Sequence, residues 1–142
     1  MRNLLWPALL VIGSNLFYHV ATKGVSKGVN PFFSLMVTYG IGALFSFALY
    51  WVTDKSPGHL LQAAKGLNWA SFVLGLAIVG LEAGYIYLYR AGGKISAGPL
   101  ACNITVSLAL LLIGLLFYKE AVTLKQAAGM ALCITGLIFI NG

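Results

Sequence analysis

The sequence predicts an all-α integral membrane protein with five transmembrane helices, and three observations lead there. Of 142 residues, 60% are hydrophobic and only 8% are charged, and the mean hydropathy is +0.91. Water-soluble domains carry about 25% charged residues, so this chain has too little polar surface to cover a folded core in water. The apolar residues also gather into five runs of the length that a bilayer core about 30 Å thick demands, roughly 17–25 residues each. The connections between the runs are short, so the chain reads as one transmembrane domain over residues 1–142 with its function inside the bilayer. A soluble enzyme, a disordered tail and a nucleic-acid reader are all excluded. The net charge of +6 and pI near 9.5 come from nine basic residues scattered singly between apolar runs, which is the pattern of membrane anchors and not of a phosphate-tracking patch.

The runs are Leu4 to Ala21, Pro31 to Val52, Trp69 to Tyr89, Pro99 to Tyr118 and Leu124 to Ile140. Asn30-Pro31 and Gly98-Pro99 put proline in a first helical turn, where its missing donor costs nothing. Thr123 followed by Gln126 has the spacing of a capping box, which separates the last two runs into two helices. Between the second and third runs, Leu60, Leu61, Ala64 and Leu67 share one helical face. The stretch His59 to Leu67 therefore reads either as an interfacial helix or as a linker. Trp6, Tyr50, Trp51, Trp69, Tyr89 and Tyr118 stand near run ends, where amphipathic rings favour the headgroup boundary. Arg2 and the run behind it resemble a secretory signal in outline, but the run is too long and has no small-residue cleavage site. Cys102 and Cys133 lie deep in the fourth and fifth runs and read as packing residues, with no disulfide framework.

Five crossings put the two ends of the chain on opposite faces. The N-terminal face would carry Arg2, Lys55, Lys65, Lys119 and Lys125, and the other face Lys23, Lys27, Arg90 and Lys94. Basic loop residues set membrane orientation, and five against four is almost no bias. One orientation can still win on so small a difference. The alternative is that the chain inserts both ways and pairs with its inverted copy.

Glu82 is the acidic residue within a run, and a carboxylate there costs several kcal/mol unless it faces protein or water. Gly80 and Gly84 form a GxxxG pair on the opposite side of the same helix, where close packing against a neighbour is expected. Counting about 1.5 Å of rise per residue, Glu82 lies about 20 Å in from the N-terminal face, Asn15 about 17 Å and His19 about 22 Å. Thr38 and Asn103, on helices running the other way, fall at about 20 and 24 Å on the same measure. These polar groups converge on one layer. Asn15 and His19 share a face that Lys23 continues to the surface, as the lining of a cavity would. A bland reading stands beside each: a Glu neutralised by tyrosines or by Arg90, and a His bonded to a carbonyl. The stripe Ser34, Thr38, Gly42 and Ser46 and the face Gly129, Cys133 and Gly136 read as helix packing or a dimer contact. No Ser/His/Asp grouping, carboxylate pair or metal-ligand spacing is present, so neither catalysis nor a metal or other cofactor is expected.

The stretch Phe117-Tyr118-Lys119-Glu120-Ala121-Val122-Thr123, followed by Gln126, Gly129, Leu132 and Gly136, resembles the end of an EamA-like domain of the drug/metabolite transporter superfamily. In that family an E-x-x-T-x-x-Q-x-x-G pattern links the fourth and fifth helices, and Glu120, Thr123, Gln126 and Gly129 match its spacing. The resemblance covers nearly the whole chain. Many members carry two such domains in inverted orientation, so it implies that this single domain works as an inverted homodimer of ten helices. The segment Val11-Ile12-Gly13-Ser14-Asn15 of the first run also resembles the start of the related small multidrug resistance family. That family's essential acid falls here on Leu10, a departure that weakens any transfer of its polyaromatic-cation chemistry.

The expectation that follows is a secondary transporter in the cell (inner) membrane, exporting a small metabolite, amine or amino-acid-like solute, with proton coupling at Glu82. Asn15, His19, Tyr39, Tyr85 and Asn103 are the expected substrate or proton contacts. Its partners would be the bilayer, a small solute and a second copy, with no nucleic acid. A non-transporting subunit that docks through Gly80 and Gly84, or a lipid-carrier flippase, is the alternative.

Overall fold

The computed structural model describes residues 2–54, 59–119, 121 and 123–141. The expected Glu120 and Val122 of the family pattern lie outside them. Among the described residues the chain forms helices and no strand. These are α1 (Arg2–Gly24), α2 (Pro31–Thr53), α3 (Leu60–Lys65), α4 (Trp69–Arg90), α5 (Gly98–Leu116) and α6 (Leu124–Asn141). Four of them, α1 from Leu5, α2, α4 and α5, are long and apolar enough to cross a membrane. The expected fifth crossing falls on α6, where the side chains of Leu137, Ile140 and Asn141 lie outside the described residues.

Local chemistry accounts for the helix boundaries. Asn30 and Asn68 each cap a helix, their side-chain oxygens accepting from the backbone of Phe32 at 2.9 Å and Ala70 at 3.0 Å. This satisfies amide groups that would otherwise face lipid without a partner. At the start of α6, Thr123 N donates to Gln126 Oε1 at 2.9 Å and Gln126 N to Thr123 Oγ1 at 3.3 Å. Both halves of the expected capping box are therefore made. The ambiguous stretch after α2 resolves as a short helix, α3. Past α4 the chain turns at Gly92, whose φ of +96° suits a residue without Cβ.

The chain divides into two compact units, Met1–Ala91 and Gly92–Gly142. In the first, α4 packs against both α1 and α2; in the second, α5 packs against α6. The buried hydrophobic residues are few: Leu35, Ala83, Ile86 and Tyr89, with Ile86 only 2% exposed. Leu35, Ala83 and Ile86 form one cluster, and Val25, Tyr39 and Val79 pack against it. Large apolar side chains cover the outside of the helices, Phe17 at 81% exposure among them. Such a surface is untenable in water and ordinary in lipid.

Among the described residues, a Cβ added at Gly80, Gly84, Gly129 or Gly136 would meet no atom within 4 Å, so these faces are open. Cys102 and Cys133 are free and exposed. On α4 the Ala83 and Ile86 side faces the neighbouring helices, and the Gly80–Gly84 face lies on the opposite side.

Candidate functional site

Glu82 is half-buried on α4, beside a cleft of about 130 Å³ between α1, α2 and α4. Tyr18 and Thr22 of α1, Ser34 and Thr38 of α2 and Glu82 supply its polar lining, over a floor that includes Leu35 and Ile86. Ser34 and Thr38 belong to the stripe expected to pack helices, and they line the cleft instead. The Tyr39 hydroxyl is buried without a hydrogen-bond partner and lies close enough to Glu82 to feel its charge. The Tyr18 hydroxyl also feels the Glu82 charge and is buried without a hydrogen-bond partner.

Hydroxyl groups in a lipid-embedded helix commonly donate to the carbonyl one turn back. Thr22 does so to Tyr18 O at 2.7 Å and Thr38 to Ser34 O at 3.0 Å. Their protons are thereby occupied, and the lone pairs on Oγ1 remain.

Arg90, the basic residue at the end of α4, does not neutralise Glu82. Its Nη2 donates to the carbonyls of Ser26 at 2.8 Å and Val29 at 2.6 Å. The guanidinium thus fastens the α1–α2 loop to α4, and among the described residues Glu82 forms no ion pair.

An aromatic cluster adjoins the cleft. His19 and Tyr85 meet edge to face at 4.8 Å between ring centroids, and Tyr18 meets His19 at 5.0 Å and Tyr85 at 5.9 Å. Both separations and angles fall in the favourable range for aromatic pairs. His19 Nδ1 lies 3.0 Å from the Tyr89 hydroxyl. Tyr89, expected in the headgroup belt, is 6% exposed, because the ring it would show to lipid is held by His19 across the α1–α4 contact.

Of the expected site residues, Glu82 and Tyr39 come together beside the cleft, and His19 and Tyr85 meet directly, with Tyr18 packed against both. Asn15 is exposed on α1, one turn before His19. Asn103 lies on α5 in the second unit, where its carbonyl accepts from Ser107 at 2.7 Å. Tyr18 and Thr22 are the participants absent from the sequence reading, and Arg90, read there as a possible partner of Glu82, instead binds the carbonyls of Ser26 and Val29. For Tyr18 and Thr22 a signal was present: they are four residues apart, one position from the Asn15–His19 face and at the same depth. Among the described residues no group of three His, Cys, Asp or Glu gathers to hold a metal ion.

Four helices long and apolar enough to span a membrane, one of them carrying a half-buried carboxylate, define the class: a multi-pass membrane protein. The EamA-like transporter family model matches residues 5–142, and the chain belongs to that family. No curated protein and no solved structure matches the chain.

Proposed function

We propose that this protein is a secondary transporter that exchanges a proton for a small metabolite, amine or amino-acid-like solute at Glu82, in the direction of export. The observation that carries the reading is the cleft itself. A carboxylate stands beside an accessible space within three packed helices, unpaired with any cation among the described residues, where a proton or a positively charged group would relieve it. Competition between the two for one carboxylate couples their movements, and alternating access around the site moves them in opposite directions. His19 and Asn15 extend the polar route along α1, and Tyr85 extends it along α4.

In this reading α6 makes the fifth crossing, the protein resides in the cell (inner) membrane, and two copies assemble with one inverted. The near-equal basic counts on the two faces and the open Gly80–Gly84 face of α4 support the pairing. Proteoliposomes test the coupling: wild-type protein takes up solute when a proton gradient is imposed, and Glu82→Gln does not. Proton-driven uptake that survives Glu82→Gln refutes the assignment. Protein that moves no solute and instead co-purifies with one partner would mark a non-transporting subunit, and flux of amphiphiles alone would mark a lipid-carrier flippase.

A further inference from the structure

We infer that the Glu82 cleft is built for a primary ammonium group and discriminates against quaternary ammonium and carboxylate ligands; this rests on the cleft being the transport site. The argument is an inventory of donors and acceptors. Thr22 on α1 and Thr38 on α2 both give their hydroxyl protons to their own helices, at 2.7 and 3.0 Å. Each can therefore only accept from a ligand without first breaking a helix bond. Glu82 on α4 accepts with charge. Three helices thus offer three acceptors around one space, and a primary ammonium offers three N–H donors and a positive charge. The Tyr18 hydroxyl, buried and without a hydrogen-bond partner, and the Ser34 hydroxyl in the same lining keep both a proton and lone pairs, so each can accept from a second N–H group and can also bind water.

Other ligand classes fit poorly. A carboxylate meets Glu82 at close range and finds no cationic side chain in the lining, since Arg90 is held by Ser26 and Val29. A quaternary ammonium has no N–H to give and binds through aromatic faces, yet Tyr18 is the one aromatic residue of the lining. Size sets a further limit. A space of about 130 Å³ is comparable to a cavity that holds a small six-membered ring, so the site takes an alkylammonium head and not a polyaromatic cation.

Full-length protein in detergent or nanodiscs, titrated calorimetrically with n-butylammonium, tetramethylammonium and n-butyrate, tests the inference. The first two are matched in heavy-atom count. The expected result is n-butylammonium binding at least tenfold tighter than either of the others, since loss of a charge-assisted hydrogen bond costs that much or more. Thr22→Val and Thr38→Val, near-isosteric and checked for helicity by circular dichroism, should each weaken n-butylammonium about threefold to tenfold. They should leave tetramethylammonium unchanged. Equal affinity for n-butylammonium and tetramethylammonium, or a preference untouched by both valine variants, overturns the inference. The outcome separates from that of the transport reading: ammonium preference without flux in proteoliposomes supports the inference and refutes transport, whereas proton-coupled flux of another solute without ammonium preference refutes only the inference.

Discussion

Arg90 offers the sharpest test of the packing around the cleft. Its Nη2 makes two charge-assisted bonds to the carbonyls of Ser26 and Val29, at 2.8 and 2.6 Å, each of a kind that contributes about 1.5–3 kcal/mol. Two effects reduce the sum: the guanidinium is partly exposed, so water screens it, and its buried Nε has no hydrogen-bond partner, a penalty that substitution removes. The net attachment of the α1–α2 loop to α4 is then about 2 kcal/mol, equivalent to about thirtyfold in local opening. Arg90→Met keeps most of the aliphatic stem and deletes the donors. Hydrogen exchange read by mass spectrometry should show the amides of Val25 and Val29 exchanging about thirtyfold faster in Arg90→Met, while α6 is unchanged. Arg90→Lys, with one compact ammonium in place of a fork, should fall between. Exchange at Val25 and Val29 that matches the wild type would refute the clasp, and acceleration everywhere would show that Arg90 acts on global stability.

Four further outcomes follow from individual contacts. His19→Phe keeps the edge-to-face rings and removes the Nδ1 partner of Tyr89, costing about 1 kcal/mol in thermal unfolding in detergent; Tyr89→Phe should cost the same, and the double variant little more than either. Ile86→Ala should destabilise by about 1–2 kcal/mol, below the range for water-soluble cores, because lipid solvates apolar side chains and only packing is lost. Thr123→Ala should cost α6 about 1 kcal/mol through its cap, seen as faster exchange in its first turn. Gly80→Leu and Gly84→Leu should leave the melting of the single chain unchanged, since neither position faces a neighbour within 4 Å, and should abolish crosslinking between copies if this face is the assembly surface.

The sequence reading succeeds where a local rule operates. Helix starts at Pro31 and Leu124 fall where proline and a Thr–Gln box place them, because these signals need only neighbouring residues. Glu82 is equally legible, since a carboxylate among apolar residues is expensive wherever the helix turns. Rotation about the helix axis is not legible. In a lipid-embedded helix the outward face is as apolar as the inward one, so periodicity does not reveal which side packs. The sequence therefore points to the Asn15–His19 face and not to the adjacent Tyr18–Thr22 face that lines the cleft, and on α4 it does not single out Ala83 and Ile86 as the packed side. Arg90 shows the same limit at a helix end: its partners are the carbonyls of Ser26 and Val29, and carbonyls carry no sequence signal.

The inverted pair can be tested through the charge balance that motivates it. Orientation depends on basic residues in short loops, so a five-to-four distribution is easily tipped. Gln62→Lys with Lys94→Gln would make it about six to three, and Gly28→Lys with Ser96→Lys and Lys65→Gln about four to six. Gln62, Gly28 and Ser96 are exposed, so the cleft is untouched in both versions. Each version should adopt one orientation, opposite to the other, as read by labelling cysteines from the two sides of the membrane. If the working unit needs both orientations, either version alone is inactive and co-expression of the two restores transport. A locked version that transports by itself at the wild-type rate would show that a single orientation suffices, and the near-equal charge count would then carry no functional meaning.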